Sequence, residues 1–347
     1  VASRCALDAG VRIGMKRNGA LTICPDAVLH DRDEKREQAA LDSVAFCLLQ
    51  YTPEVAFAEQ HSLVMDVSAS LRAFGGLRRL FRRAQNDVLA LGFTARFGMA
   101  PTAQGAWLLA HAAGTTFTRC RVLRMETLTL LLNRVPCPFL PALAPYQDWL
   151  AGIGCRTLGD LRRLPRAGLK RRCNDAVLEE LDRAYGQAPE LFNWIETPEV
   201  FTERLELPDR VDHADGVLFG ARRLLLQMTG WLTVRQRAVE RFMLAMEHER
   251  GRQAVPPTFL EIALAEAAWQ EPHLTRLLKE RLGRITLAAP VIVLSLEATQ
   301  TIAMAPLSAS LFPEPGGTPA DFQRLIELLS ARLGDDAVVV PAVEADH

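Results

Sequence analysis

Six segments between residues 201 and 297 alternate in apolar period, and that order limits the fold more than any other feature. Phe201–Leu205 reads as a strand and Gly216–Val234 as a helix. Val239–Met246 and Phe259–Ala265 are β-prone runs. His273–Leu282 is helical again, and Val291–Glu297 is rich in branched residues. Periods of 2 and 3.6 residues put side chains on a sheet face and a helix face respectively. The order β-α-β-β-α-β therefore predicts an α+β module. A closing amphipathic helix is expected over 319–333. Thr318 can cap it, Pro319 suits its first position, and Phe322, Leu325, Ile326, Leu329 and Leu333 mark one face.

Two proline-rich breaks, Val135–Pro145 and Thr197-Pro198, separate this module from what precedes it. Between them, Tyr146–Leu191 reads as short helices. Upstream, helices are expected at 1–9, 33–51, 77–91 and 103–113. Strands are expected at Val28-Leu29, 55–58, 63–67 and 93–99, and Gly14–Leu21 reads as irregular. Val1 falls inside an expected helix, so a preceding segment is expected.

Composition narrows the class. Of 347 residues, 49% are hydrophobic and 23% charged, enough to bury a core. Forty basic residues against 41 acidic ones exclude a uniformly basic nucleic-acid binder but leave room for patches. Four of the forty are lysines, so arginine, the bidentate phosphate partner, dominates. Seven cysteines without a C-x-x-C spacing argue against a disulfide framework or a zinc site, and a reducing cytoplasm fits. No run approaches the ~18 apolar residues of a membrane span.

The strongest local chemistry lies in Gly152-Ile-Gly154-Cys-Arg156-Thr157-Leu-Gly-Asp160. One helix ends in a Gly-x-Gly hairpin, and Thr157 can cap the next, with Asp160 in its first turn. The hairpin glycines and free N–H groups of that second helix are expected to meet a DNA phosphate. Arg156, Arg162, Arg163, Arg166, Lys170, Arg171 and Arg172 crowd the site against Asp160 alone. Residues 71–100 hold a second basic cluster of six arginines. Arg235, Arg237 and Arg241 form a third, expected to line one face of a strand. The competing reading of each cluster is a solvated basic surface.

Gly10–Met15, Leu21–Asp26, Met65–Ser68 with Phe74-Gly-Gly76, Phe97–Pro101 and Thr157–Leu161 occur in one order. That order resembles the Y-family translesion DNA polymerases over nearly the whole chain. Asp66–Gly76 and Leu311–Gly317 are similar to one subgroup, the polymerase-like subunit of a bacterial mutagenesis cassette. The resemblance implies a right-hand layout. Residues 1–40 would be a remnant of the fingers and 41–134 palm-like. Residues 135–197 would be a helical thumb with a helix-hairpin-helix, 198–305 a little finger lying across the duplex, and 306–347 a tail.

Nucleotidyl transfer needs carboxylates that hold two magnesium ions. The resemblance places an adjacent Asp-Glu pair just before Met65-Asp66-Val67. Here those two positions are His61 and Ser62. Arg4 and Leu7 stand where active relatives carry triphosphate-gripping Tyr and Arg, and Ala103 and Trp107 where they carry lysines. A further carboxylate of the first palm strand is expected upstream of Val1. The resemblance thus implies a polymerase fold without polymerisation, needing no cofactor, with a role in assembling a translesion complex. Its implied partners are primer-template DNA, a RecA-like companion protein and an error-prone replicative-type polymerase. Leu311-Phe312 has the shape of a sliding-clamp peptide. A nucleoid-associated, cytoplasmic protein without a membrane contact is expected. Two alternatives stay open: an active, N-terminally trimmed translesion polymerase that uses magnesium, and a helix-hairpin-helix scaffold of other ancestry.

Overall fold

A computed structural model describes residues 2–114, 116, 120–249, 255–304, 319–333 and 337–339. The chain forms two units, Val1–Asp42 and Ser43–His347. The first holds α1 (Arg4–Asp8), α2 (Arg17–Ile23) and the start of α3 (Glu34–Leu48). Ser3 caps α1 by accepting from the Ala6 N–H. The stretch expected to be irregular at 14–21 is half helix, because α2 can seat Ala20 against the interior and tolerates Gly19. Val28-Leu29 is not a strand: Val28 is exposed, and no neighbouring strand supplies a ladder among the described residues.

The second unit opens with the last residues of α3, then an antiparallel hairpin of β1 (Val55–Ala58) and β2 (Ser62–Met65). The segment before Glu196 extends this hairpin by one bridge: Ala56 pairs with Trp194, and the Ile195 N–H donates to the Val55 carbonyl at 2.8 Å. α4 (Leu77–Ala90) buries Leu80, Phe81, Ala84 and Val88 and turns Arg78, Arg79, Arg82 and Arg83 outward. This 3.6-residue spacing is what the sequence predicts.

The alternating run 93–99 is not a strand. Its single pairing is a parallel bridge from Met99 to Arg121. Gly98 instead lies on the backbone of α5 (Ala103–Ala112), so close that a Cβ there would stand 2.0 Å from the Ala106 carbonyl oxygen. Alternation gives a run two faces, but a strand also needs a ladder partner, and among the described residues none pairs with 93–98.

α6 (Met125–Leu132) and two 3-10 turns (Cys137–Phe139 and Pro141–Tyr146) lead into α7 (Gln147–Gly152), α8 (Leu158–Arg163), α9 (Arg166–Arg172) and α10 (Asp175–Ala184). They share one core in which Leu128, Leu132, Leu143, Leu158, Leu161 and Val177 are fully buried. Each such leucine contributes about 1.5–3 kcal/mol of burial.

The last module follows the expected order: β3 (Thr202–Val211), α11 (Ala214–Val234), β4 (Arg237–His248), β5 (Thr258–Ala268), α12 (Glu271–Leu282) and β6 (Val291–Ala303). The strands form one antiparallel sheet in the order β3-β6-β4-β5. One sheet face packs on α11 and α12 through Phe242, Leu244, Leu294, Leu296, Trp231 and Leu278. α13 (Pro319–Leu333) sets Leu328 against that core. α11 also reaches back across the chain. Leu226 buries with Cys47 and Leu91, and a Cβ on Gly230 would meet the Phe46 carbonyl oxygen at 1.8 Å. Mixed α+β architecture is therefore what the chain adopts.

Candidate nucleic-acid interface

The hairpin turn between β1 and β2 carries His61, and Ser62 opens β2. Gln60 and His61 both take left-handed conformations, each with φ of +54°, which closes the turn. His61 is exposed and Ser62 partly buried. The Ser62 hydroxyl donates to the Gln60 carbonyl and accepts from the indole Nε1–H of Trp107 at 3.2 Å. Trp107 is held in turn. Its ring stacks on His111 with centroids 3.8 Å apart, and Arg96 donates to the His111 carbonyl. Two positions that sequence comparison assigns to different tasks, Ser62 and Trp107, are thus joined to each other.

Magnesium is a hard cation that takes oxygen ligands, above all carboxylates. An imidazole and a hydroxyl already engaged with indole do not fit that demand. Asp66, the nearest aspartate in sequence, uses its carboxylate to accept from the Ser68 N–H at 2.8 Å. Among the described residues no group of three or more His, Cys, Asp or Glu side chains is placed to hold a metal ion.

α5, which brings in Ala103 and Trp107, has a filled N-terminus. The Glu190 carboxylate accepts from the Ala103 and Gln104 N–H groups at 2.8 and 2.6 Å. Thr102 caps the helix and donates to the Ala184 carbonyl at the end of α10. Helix N-termini attract anions, and here an internal carboxylate takes that role. Leu7 lies half exposed on α1, in the other unit.

The Gly-x-Gly hairpin forms between α7 and α8. Gly152, Gly154 and Arg156 are exposed, and Gly154 turns the chain with φ of +74°. Thr157 and Asp160 make the expected capping box in both directions. Accepting those bonds, first from the Thr157 side chain, holds the Asp160 carboxyl below its ordinary range.

One expectation fails here. The N–H groups of α8 are not free for an anion. Leu158 donates to the Val135 carbonyl, Gly159 to the Asn133 carbonyl and Asp160 to Thr157. In the hairpin itself, Ile153, Gly154 and Cys155 donate to carbonyls of α7. The segment ahead of the proline-rich break folds against the helix start and fills it. What remains to meet a phosphate is side chains.

Those side chains differ. Among the described residues the Arg156 guanidinium has no ion-pair partner. Arg162 lies over the Tyr185 ring at 4.0 Å, which orients its charge without neutralising it. Arg163 approaches Asp160 at 3.4 Å, Arg166 is bound in a two-pronged pair with Asp182, and Lys170 pairs with Asp175 at 3.2 Å. All of these pairs are at the surface, where an ion pair contributes about 0–1 kcal/mol and yields readily.

The third cluster does not share a face. Register shifts between Val239 and Arg241 break the alternation of β4. Arg235 is the residue that ends α11, and Arg237 donates to the Thr301 hydroxyl and carbonyl. These two line an open cavity of about 610 Å³ with Glu199, Val200, Val234 and Thr301. Arg241 instead pairs with Glu261 at 3.0 Å on the sheet. Leu311 and Phe312 lie outside the described residues.

Comparisons with known proteins bear on this arrangement. Residues 1–111 match the impB/mucB/samB family model, IMS. A curated protein, "Protein ImuB" of Caulobacter vibrioides strain NA1000 / CB15N, is 24% identical over 95% of this chain and 70% of its own length. The same holds for "Protein ImuB" of strain ATCC 19089 / CIP 103742 / CB 15. Among solved structures, the insertion ternary complex of Dbh DNA polymerase is 15% identical with a TM-score of 0.47, covering 87% of both chains. A DinB family error-prone DNA polymerase from Sulfolobus solfataricus is 17% identical with a TM-score of 0.48, covering 88% of this chain and 90% of its own. Residues 1–111 are thus similar to the impB/mucB/samB family, and the chain over 95% of its length to the ImuB proteins.

Proposed function

We propose that this chain is a non-catalytic, polymerase-like subunit that binds DNA and helps assemble an error-prone translesion complex. In this reading the β1–β2 hairpin with α4 and α5 is the palm, α7–α10 the thumb and β3–β6 the little finger. The observation that carries it is the Trp107–Ser62 hydrogen bond. Where an active family member needs a metal-binding carboxylate and a phosphate-binding lysine, this chain has a hydroxyl and an indole satisfying one another. Two-metal catalysis stabilises the attacking and leaving oxygens with paired cations, and this hairpin offers them no paired carboxylates.

DNA binding then falls to arginine side chains. Arg156, Arg162, Arg163 and Lys170 make one cationic face beside Gly152 and Gly154, and charge of this kind fixes a protein on phosphates without reading sequence. Arg235 and Arg237 supply a smaller second contact at the end of α11. Leu311 and Phe312 are proposed as a clamp-binding pair on sequence alone. A RecA-like companion protein and an error-prone replicative-type polymerase belong to the same proposal, on the family resemblance alone.

The test is primer extension by the purified protein with magnesium and all four deoxynucleotides. No incorporation is expected while duplex binding persists. Template-directed incorporation by this chain would overturn the reading.

A further inference from the structure

The face of the last sheet turned away from α11 and α12 has a composition that the DNA-binding reading does not explain. The strand registers define it row by row. One row runs Thr202, Glu297, Met243, Glu261, and the next Arg204, Ser295, Ala245, Phe259. A third holds Glu206, Val293 and Glu247, and at the other end Gln300, Arg241 and Ala263 lie side by side. Adjacent residues across an antiparallel sheet share a face, so these rows are one surface.

Its charge is acidic. Glu206, Glu247, Glu261 and Glu297 face Arg204 and Arg241, four carboxylates against two guanidiniums. Both arginines are already engaged. Arg204 pairs with Glu206 and Glu247, and Arg241 with Glu261. Glu297 is exposed and has no ion-pair partner among the described residues. A duplex laid here would set phosphates against carboxylates and would find no free cation in these rows. Beside these charges the face is apolar. On β6 and β4, Val293 is buried among its neighbours and Met243 and Ala245 are half-buried, and on the edge strand β5 Phe259 stands 64% exposed.

An apolar patch with an exposed aromatic and unneutralised carboxylate charge beside it is suited to a protein partner. We propose that this open sheet face docks a cationic amphipathic polypeptide segment of a partner protein, with Phe259 as its anchor and Glu297, Glu261 and Glu247 as its charge partners. Lysines or arginines flanking an apolar stripe on one helix would match both features at once. The inference rests on the scaffold reading, in that it names the chemistry of a partner. It does not depend on the thumb or on the polymerase-like hairpin.

The experiment uses the full chain and three labelled probes: a 20-residue Lys/Leu amphipathic helix, its Glu/Leu counterpart and a 20-base-pair duplex, read by fluorescence anisotropy. The Lys/Leu peptide is expected to bind and the Glu/Leu peptide not to. Glu297→Lys and Phe259→Ser, both at exposed positions, should each weaken the cationic peptide by roughly tenfold, as loss of an interface anchor does. Duplex affinity should not fall in either variant. Equal peptide affinity in wild type and both variants overturns the proposal, since charge elsewhere would then explain binding. Loss of duplex affinity in Phe259→Ser overturns it in favour of DNA. The charge reversals Arg162→Glu and Arg163→Glu separate the two readings: they should weaken duplex binding and spare the peptide. Retained duplex affinity there would count against the thumb and leave the sheet face standing.

Discussion

Gly230 gives the sharpest test of how the last module is held. It lies inside α11, where alanine is worth about 0.5–1 kcal/mol more than glycine in an isolated helix. Propensity alone therefore predicts that Gly230→Ala stabilises. Packing predicts the reverse. The added methyl would lie 1.8 Å from the Phe46 carbonyl oxygen and 2.9 Å from its carbon, with the Cys47 carbonyl oxygen at 3.4 Å. Both partners are backbone, so no side chain can swing aside. α11 must back away by more than an ångström, which opens the contact of Leu226 with Cys47 and Leu91. Overpacking costs about 1–3 kcal/mol and outweighs the helix gain. At roughly 2–4 °C per kcal/mol for a unit of this size, Tm should fall by several degrees. Gly283→Ala is the control. It ends α12 at a φ of −64°, and a Cβ there meets nothing nearer than 3.5 Å. That change should be neutral or stabilising by a few tenths of a kcal/mol, about the size expected from restricting the unfolded chain. Urea melts followed by circular dichroism compare the two. A Gly230→Ala protein as stable as wild type would show that α11 does not press on α3.

Trp107→Ala should cost about 3–5 kcal/mol, because it removes a buried ring and leaves the Ser62 hydroxyl without its donor, whereas Trp107→Phe should cost less, as thermal melts would show. Thr157→Ala removes the α8 cap and should cost about 1 kcal/mol in a denaturant melt. The same change should raise the Asp160 pKa toward the ordinary range in an NMR titration, since the Thr157 side chain is the first cause of its lowering. With a lowered folded pKa, the Asp160 contribution is present above its unfolded value and is lost as pH falls through the folded one, so Thr157→Ala should flatten the acid limb of the stability profile. Combined charge reversal of Arg162, Arg163 and Lys170 should weaken duplex binding and make its dependence on log salt shallower by about one unit per lost phosphate contact, and an unchanged slope would remove this face from the DNA surface.

What the sequence reveals depends on how local the cause is. The β-α-β-β-α-β order was legible because each segment's own apolar period fixes its type, and Thr157 with Asp160 because a capping box spans four residues. Phe93–Met99 alternates as well as any strand, yet among the described residues no partner strand lies beside it, and α5 packs on it at Gly98. The filled start of α8 was invisible for a similar reason: Val135 and Asn133 reach it only after α6 has packed. Alternation along β4 misled at Arg237 and Arg241 because a bulge moves side chains without changing any local preference. His61 and Ser62 were legible as departures from a family pattern. The tie of Ser62 to Trp107 needed the fold.

The strand order has a consequence for how the chain is made. Among the described residues β6 is the last strand to leave the ribosome, and it is the only strand that β3 pairs with. Until it arrives, the module holds a β4–β5 hairpin and an unpaired β3, with the apolar face of α11 uncovered on that side. Pairing that spans so much sequence is slow to form and exposes edges while it waits. A ribosome stalled before Val291 would therefore present an aggregation-prone nascent chain, and release of the last thirteen residues of sheet converts it in one step. The late arrival of β6 governs how long the edges of this module stay unpaired, not how stable the finished sheet is.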